Sequence, residues 1–248
     1  VDPSLSPHLP DITETLRQTG ATSFYIQTRN SLPPTQENKL IHSLRFRTNY
    51  YLDITTPIED LVRNQKRDAR QRLNRARRQA SRQSLAVNTV SVDFSQNYRR
   101  ISNQKGFSRR YIFDHSDFEL MISAPDITQL EVRCANRFIA GGVFARDGKN
   151  VDYLFGATSE TFDDGVRLLI WQAVEFFKDQ GATRLFLGGG VHESDSLAQF
   201  KCRLGARAAR CHSLMGVLSE SNAESLAGRP FKQEWFKGFF PPYRNPGD

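Results

Sequence analysis

Three strand-like runs in succession, ITQLEVRCA (127–135), RFIAGGVFARD (137–147) and NVDYLFGATS (150–159), constrain the fold of this chain more than anything else in it. They are separated only by Asn136-Arg137 and by Asp147-Gly148-Lys149, turn chemistries that reverse a strand onto its neighbour, so they read as an antiparallel meander. The strongest helical pattern of the sequence follows at once. In DDGVRLLIWQAVEFFKDQG (163–181), Val166, Leu169, Ile170, Ala173, Val174 and Phe177 recur at helical spacing, Asp163 or Asp164 stands at the cap, and Gly181 stops the run. TRLFLGGG then reads as a buried strand, SLAQFKCRLG as a short helix and ARCHSLMGVLS as a last strand. Three strands, helix, strand, helix, strand is an α+β order, a mixed and mostly antiparallel sheet flanked by helices, and not the strict alternation of a doubly wound sheet.

The first half is less regular. Residues 1–20 read as an irregular lead-in with one short helix, SFYIQTRN (23–30) and NYYLDIT (49–55) as strands. Pro33 and Pro34 bar SLPPTQENK (31–39) from being a central strand. A helix is expected to start at Thr55 or Thr56 with Pro57 in its first position and to run to about Gln83. Its apolar members, Ile58, Leu61, Val62, Ala69, Leu73, Ala76 and Ala80, make a narrow stripe of mostly small side chains, which leaves the remaining surface to arginine. Two further helical pieces are expected within 93–124, with Gly106 and Phe107 between them and Pro125 ending the second.

Charge is unevenly placed. The 248 residues carry a net charge of +7, yet between Arg63 and Arg82 stand Lys66 and eight arginines against one acid, Asp68. Such a stripe on a nearly balanced body points to an anionic partner; with almost no acids available for i,i+4 pairs, phosphate binding is favoured over a merely solvated face. Arg63, Lys66, Arg67, Arg70, Arg75 and Arg78 are the candidates for pairing with phosphates of an RNA or a nucleotide-linked molecule.

Other classes are excluded or disfavoured. No apolar run approaches the roughly 20 residues of a bilayer span, so no stable membrane insertion is expected, and no secretory signal is visible at the start. Cys134, Cys202 and Cys211 at unrelated spacings suggest reduced thiols and a cytoplasmic setting. There is no CxxC, and His212 beside Cys211 reads as strand residues, so no metal is expected. GxSxG, HExxH and the P-loop are all missing, which removes serine hydrolase, zinc protease and NTPase readings.

Three stretches in order carry a resemblance to a known family. YYLDIT followed by RNQKRDARQRLNRARRQ, then KGFSRRYIFDHSDFELMIS, then LFLGGGVHESDSLAQFKCRLGA resemble the Fem-type aminoacyl and acyl transferases, a branch of the GNAT acyltransferase superfamily. They span residues 50–206, and the closing FFPPYRNP is similar to relatives too. The resemblance implies a partial second GNAT-like segment on the acceptor side over residues 1–90, carrying the basic helix. It also implies a GNAT-like acyltransferase domain with a C-terminal extension over 91–248. The activity implied is transfer of an aminoacyl group from aminoacyl-tRNA to an amine, with no bound cofactor; the dense arginines suit a tRNA. The amine acceptor stays open among a peptidoglycan precursor, a glycan amino sugar and a peptide or nucleoside natural product. With no evident coiled-coil arm and no second complete repeat, the natural product gains weight over the cell wall. Oligomeric state is not legible.

Two positions depart from the family pattern. Leu204 stands where the family has Phe, which changes packing. Acetyl-CoA users carry a Gln/Arg-x-x-Gly-x-Gly/Ala loop before the main helix, and this chain has TFDDGV (161–166), whose two aspartates would repel a pyrophosphate. Acyl-CoA is therefore the alternative donor. A non-catalytic RNA- or nucleotide-binding module is the third reading.

The site implied by the resemblance centres on Lys201. Acyl transfer to an amine passes through a tetrahedral oxyanion, and an ammonium aimed at that oxygen stabilises the developing charge. The Lys of the family's Phe-Lys pair has that role, and it falls on Lys201. Gly188, Gly189 and Gly190 leave backbone amides uncovered at the end of a core strand, where they could meet a carbonyl or a phosphate, or serve only as a tight strand exit. Phe200 reads as a pocket wall, and Tyr153 joins the substrate-binding candidates. Asp195 and Asp53 are the acids nearest the motifs. Either could accept a proton from the amine, but Asp195 also suits the cap of the following helix and Asp53 a strand-end turn. His192 is a loop polar group that could titrate near neutrality.

Overall fold

The three alternating runs do form an antiparallel meander. The structure is a computed structural model that describes residues 9–27, 41–189, 195–237 and 240–244. In chain order its elements are α1 (Leu9–Gln18), β1 (Ser23–Gln27), β2 (Ile41–Asp53), α2 (Ile58–Arg63), α3 (Arg67–Gln79), β3 (Gln83–Val87), α4 (Val92–Gln104) and α5 (His115–Ile122). They continue with β4 (Ile127–Cys134), β5 (Arg137–Asp147), β6 (Asn150–Thr158), α6 (Gly165–Asp179), β7 (Arg184–Gly189), α7 (Ser196–Arg203), β8 (Arg207–Val217) and α8 (Glu220–Ala227). Single 3-10 turns stand at Arg109–Tyr111, Gln233–Lys237 and Pro242–Arg244. The segment 31–39 lies outside the described residues.

The chain divides into a unit of residues 50–208 and a unit of residues 1–49 with 209–248. The boundaries do not fall near residue 90, because the basic helix belongs with the meander: Leu73 and Ala80 sit in one buried cluster with Leu168, Leu169 and Trp171 of α6.

In the 50–208 unit the strands lie in the order β7-β6-β5-β4-β3, with the end of β2 beside β7. Pairs β3–β4, β4–β5 and β5–β6 are antiparallel, and β6–β7 is parallel. Both faces of the sheet are covered. Ile139, Ala140 and Phe144 of β5 pack against α6. From the same strand, Phe138 and Val143 join Phe94, Tyr98 and Phe118 of α4 and α5. Ser91 caps α4 by accepting the Phe94 N–H at 3.1 Å, and Asp114 with Asp117 forms a reciprocal capping box on α5. In the other unit β1 pairs antiparallel with β8, Ser23 opposite Val217. There Met215, Val217, Ala223, Trp235 and Phe236 form a separate apolar cluster.

Three expectations need correction. The single helix from Pro57 to about Gln83 is two helices, α2 and α3, broken at residues 64–66, where the Lys66 N–H donates to the carbonyl of Arg203 at 3.2 Å. Residues 83–87 are a strand paired with β4, Leu85 opposite Val132. Asp164 takes the cap position of α6, but with φ +62° and without capping through its side chain.

Candidate functional site

The sheet opens between β6 and β7. Strands β6 and β7 pair only from Asn150↔Arg184 to Asp152↔Phe186. Just beyond, Val143 faces Phe155 and Phe144 faces Tyr153, so Leu154 is an extra residue on β6. A bulge of this kind bends its strand and increases the local twist. Residues 153–158 of β6 and 187–189 of β7 therefore run on without pairing to each other.

Lys201 reaches this parting from α7. Asp195 starts that helix by accepting the Ala198 N–H at 2.7 Å, and this fixes which face turns inward: Ala198, Lys201 and Leu204, three residues apart, are all buried. Lys201 is only 5% exposed, and its Nζ donates to the carbonyl oxygen of Gly189 at 2.7 Å. Gly188 has φ +77°, a conformation that favours glycine, and a Cβ added there would lie 3.6 Å from the Lys201 Nζ. Burial pushes the ammonium down to about 8, with the Asp195 carboxylate opposing the shift. An ammonium has three donors, and one is committed to Gly189 among the described residues. It is the carbonyl of Gly189 that faces the cation. Gly190 and His192 lie outside the described residues.

The neighbour of Lys201, Phe200, packs against the buried cluster that includes α6. Over its ring, 4.8 Å from the centroid, lies the guanidinium of Arg167. Arg167 is 3% exposed; its Nε donates to Asp164 Oδ1 at 2.9 Å, while Asp164 Oδ2 accepts from Arg72 Nε of α3 at 2.9 Å. The buried Nη1 of Arg167 has no hydrogen-bond partner among the described residues. Sequence reasoning did not pick out Arg167. Its signal was the i,i+3 spacing from Asp164, hidden in a run of apolar residues. The expected repulsion between Asp164 and an anion also changes here, because two arginines flank that carboxylate.

The remaining candidates separate. Asp53 accepts from the Thr55 hydroxyl at 2.6 Å and from Arg207 at 3.3 Å, and the Thr55 hydroxyl, before the arginine, holds its carboxyl below the usual range. It sits where β7 begins, since the next residue, Ile54, donates its N–H to Thr183. Lys201 sits where β7 ends, so the strand stands between the two, on the order of 20 Å for six residues. Tyr153 is at the bulge, and its ring lies across Gly142 and Gly156, where any Cβ would collide with it. Burial pushes its phenol up, so the hydroxyl stays neutral.

The basic segment divides between cations tied to other groups and exposed ones. Ala69, Leu73 and Ala76 turn inward; Arg72 and Arg77 tie α3 to Asp164 and Glu175 of α6. Arg63 is paired with Asp60 at 2.9 Å, and Arg70 donates to the carbonyl of Arg63 at 3.4 Å. Lys66, Arg67, Arg75 and Arg78 are exposed and have no carboxylate within ion-pair distance among the described residues.

This architecture has known counterparts. The crystal structure of FemX superposes with a TM-score of 0.66 at 12% identity, covering 89% of this chain and 78% of that one. The fold is Fem-type. A conserved protein of unknown function from Bacteroides thetaiotaomicron shares this Fem-type fold, with a TM-score of 0.60 at 10% identity over 86% of this chain and 75% of that one. No family model matches the sequence, and no curated protein matches it in sequence. Among the described residues, no helix is long and apolar enough to cross a membrane.

Proposed function

We propose that the protein is an N-acyltransferase that moves an aminoacyl group from aminoacyl-tRNA to the amine of an acceptor, forming an amide. One observation carries this reading: a buried ammonium, that of Lys201, is held at the glycine exit of β7, where β6 and β7 part. An ester carbonyl seated in the parting would place its oxygen against a cation that is out of bulk water, where electrostatic stabilisation of an oxyanion is strongest. The acceptor nitrogen attacks the carbonyl carbon and a tetrahedral oxyanion forms beside Lys201. The carbonyl then re-forms as the C–O ester bond breaks, and the C–N bond remains as the amide. The proton lost by the amine ends on the departing ribose hydroxyl. No step needs a covalent enzyme intermediate. Lys66, Arg67, Arg75 and Arg78 would take the phosphates of the donor RNA.

A second donor, acyl-CoA, is favoured by a different observation. Asp164, at the start of α6, is paired with both Arg72 and Arg167, which offset the charge of the two aspartates in TFDDGV and remove the net repulsion of a pyrophosphate at that helix start. The two donors are separated by incubating the protein and a mixture of amine acceptors with radiolabelled aminoacyl-tRNA and, in a parallel reaction, radiolabelled acetyl-CoA. Transfer of label to amide from the RNA alone is the expected outcome. Transfer from acetyl-CoA alone would replace the first donor by the second, and transfer from neither would remove the enzymatic reading.

A further inference from the structure

The closing aromatic stretch of the chain has no part in the site around Lys201. Its described residues, 240–244, belong to the unit formed by residues 1–49 and 209–248, where Phe240 stacks on Phe236 at 5.2 Å between centroids. Tyr243 is then fixed across 220 residues of sequence: its hydroxyl and that of Ser23 are hydrogen-bonded at 2.6 Å. Beside this pair opens a cavity of about 460 Å³, walled by Ser23, Phe24 and Tyr25 of β1, Leu226 of α8, and Tyr243 and Arg244.

The walls have the composition of a small-ligand pocket. Its volume lies in the ordinary range for such sites, with aromatic, aliphatic and polar residues in its walls. Tyr25 and Leu226 are 45% and 59% exposed, so an apolar rim faces solvent. The Arg244 guanidinium, with five donors in a planar fork, has no carboxylate within ion-pair distance among the described residues. A phenol face and an aliphatic rim suit the flat C–H face of a sugar ring, the Ser23–Tyr243 hydroxyls suit its hydroxyls, and an arginine with no carboxylate beside it among the described residues suits a phosphate monoester.

We propose that this cavity binds a phosphate monoester carried on a sugar ring. None of its residues belongs to the unit that holds Lys201, so it stands independently of the acyltransferase reading.

Isothermal titration calorimetry of the full chain tests it with glucose 6-phosphate, AMP, glucose and inorganic phosphate as probes. Saturable binding of glucose 6-phosphate or AMP, at least about tenfold tighter than glucose or phosphate alone, is expected. The two phosphorylated probes distinguish a simple sugar phosphate from a nucleotide as the source of the same chemistry. Arg244→Ala should weaken the bound probe at least about tenfold and Tyr243→Phe less, with unchanged thermal unfolding showing that the fold is intact. Absence of saturable binding by any phosphorylated probe, equal affinity for inorganic phosphate alone, or binding that Arg244→Ala leaves unchanged would each overturn the proposal. Should Arg244→Ala unfold the protein, Arg244→Lys, which keeps the charge but loses the fork, takes its place with the same expected direction.

Discussion

The Lys201 ammonium and the Gly189 carbonyl oxygen are joined at 2.7 Å, a short charge-assisted hydrogen bond between α7 and the end of β7. Burial makes that ammonium costly to keep charged, so its worth to the protein depends on pH. Below about pH 8 it is charged in both folded and unfolded chains and folding bears the full burial cost; between about 8 and the ordinary 10.5 the unfolded chain holds a proton that the folded chain does not, and stability rises with pH. Lys201→Met should therefore raise stability at pH 7 by up to about 3 kcal/mol, less what the lost hydrogen bond contributed, and the gain should shrink toward pH 10. Urea denaturation of both proteins across this range checks it; a gain that grows with pH would contradict the assignment of burial as the cause.

The same titration sets the pH profile of turnover. An ammonium that stabilises an oxyanion is active in its charged form, so the rate should fall as pH rises through about 8, whereas a lysine acting as a base would give the opposite limb. Asp195→Asn keeps the cap on α7 but removes the carboxylate that opposes the shift, so the falling limb should move to lower pH. Asp195→Ala should in addition cost about 1 kcal/mol of stability through loss of the cap.

Asp164 joins two helices through Arg72 and Arg167, both at 2.9 Å. Asp164→Asn retains a residue that tolerates the positive φ but leaves the buried Arg167 without its counter-charge. A loss of about 3 kcal/mol is expected, against less than 1 kcal/mol for Arg63→Gln, whose pair with Asp60 is exposed. Chemical denaturation of the two variants compares them directly.

Gly188→Ala tests the strand exit. With φ +77° an alanine is strained by roughly 1–2 kcal/mol, and its methyl approaches the Lys201 Nζ, so both stability and the lysine's environment should change. Gly181→Ala, with φ +79° but open space around it, carries the strain alone and is the control.

What the sequence disclosed follows from the range of the forces involved. The meander of β4, β5 and β6 was legible because two-residue turns and alternating side chains are local properties, and α6 because its apolar period is long and unbroken. The cap at Asp195 was likewise local. The break between α2 and α3 was not, since it is stabilised by a bond from Lys66 to Arg203, far along the chain. The strand β3 was missed because five residues of mixed polarity mean little until Val132 and its neighbours pair with them. Asp53 stood near the motifs in sequence, but the structure sets it at the far end of β7 from Lys201. The bulge at Leu154, which parts β6 from β7, left no mark in a strand pattern that otherwise alternates.

The account rests on Lys201 as a group that acts on the transition state and not on donor binding. Transfer of label from aminoacyl-tRNA to amide should be measured with wild type and Lys201→Ala, alongside the affinity of each for the RNA. The account predicts that turnover falls by about 10²–10³-fold, as on loss of an oxyanion donor, while RNA affinity is unchanged. Equal turnover by the two proteins would contradict it.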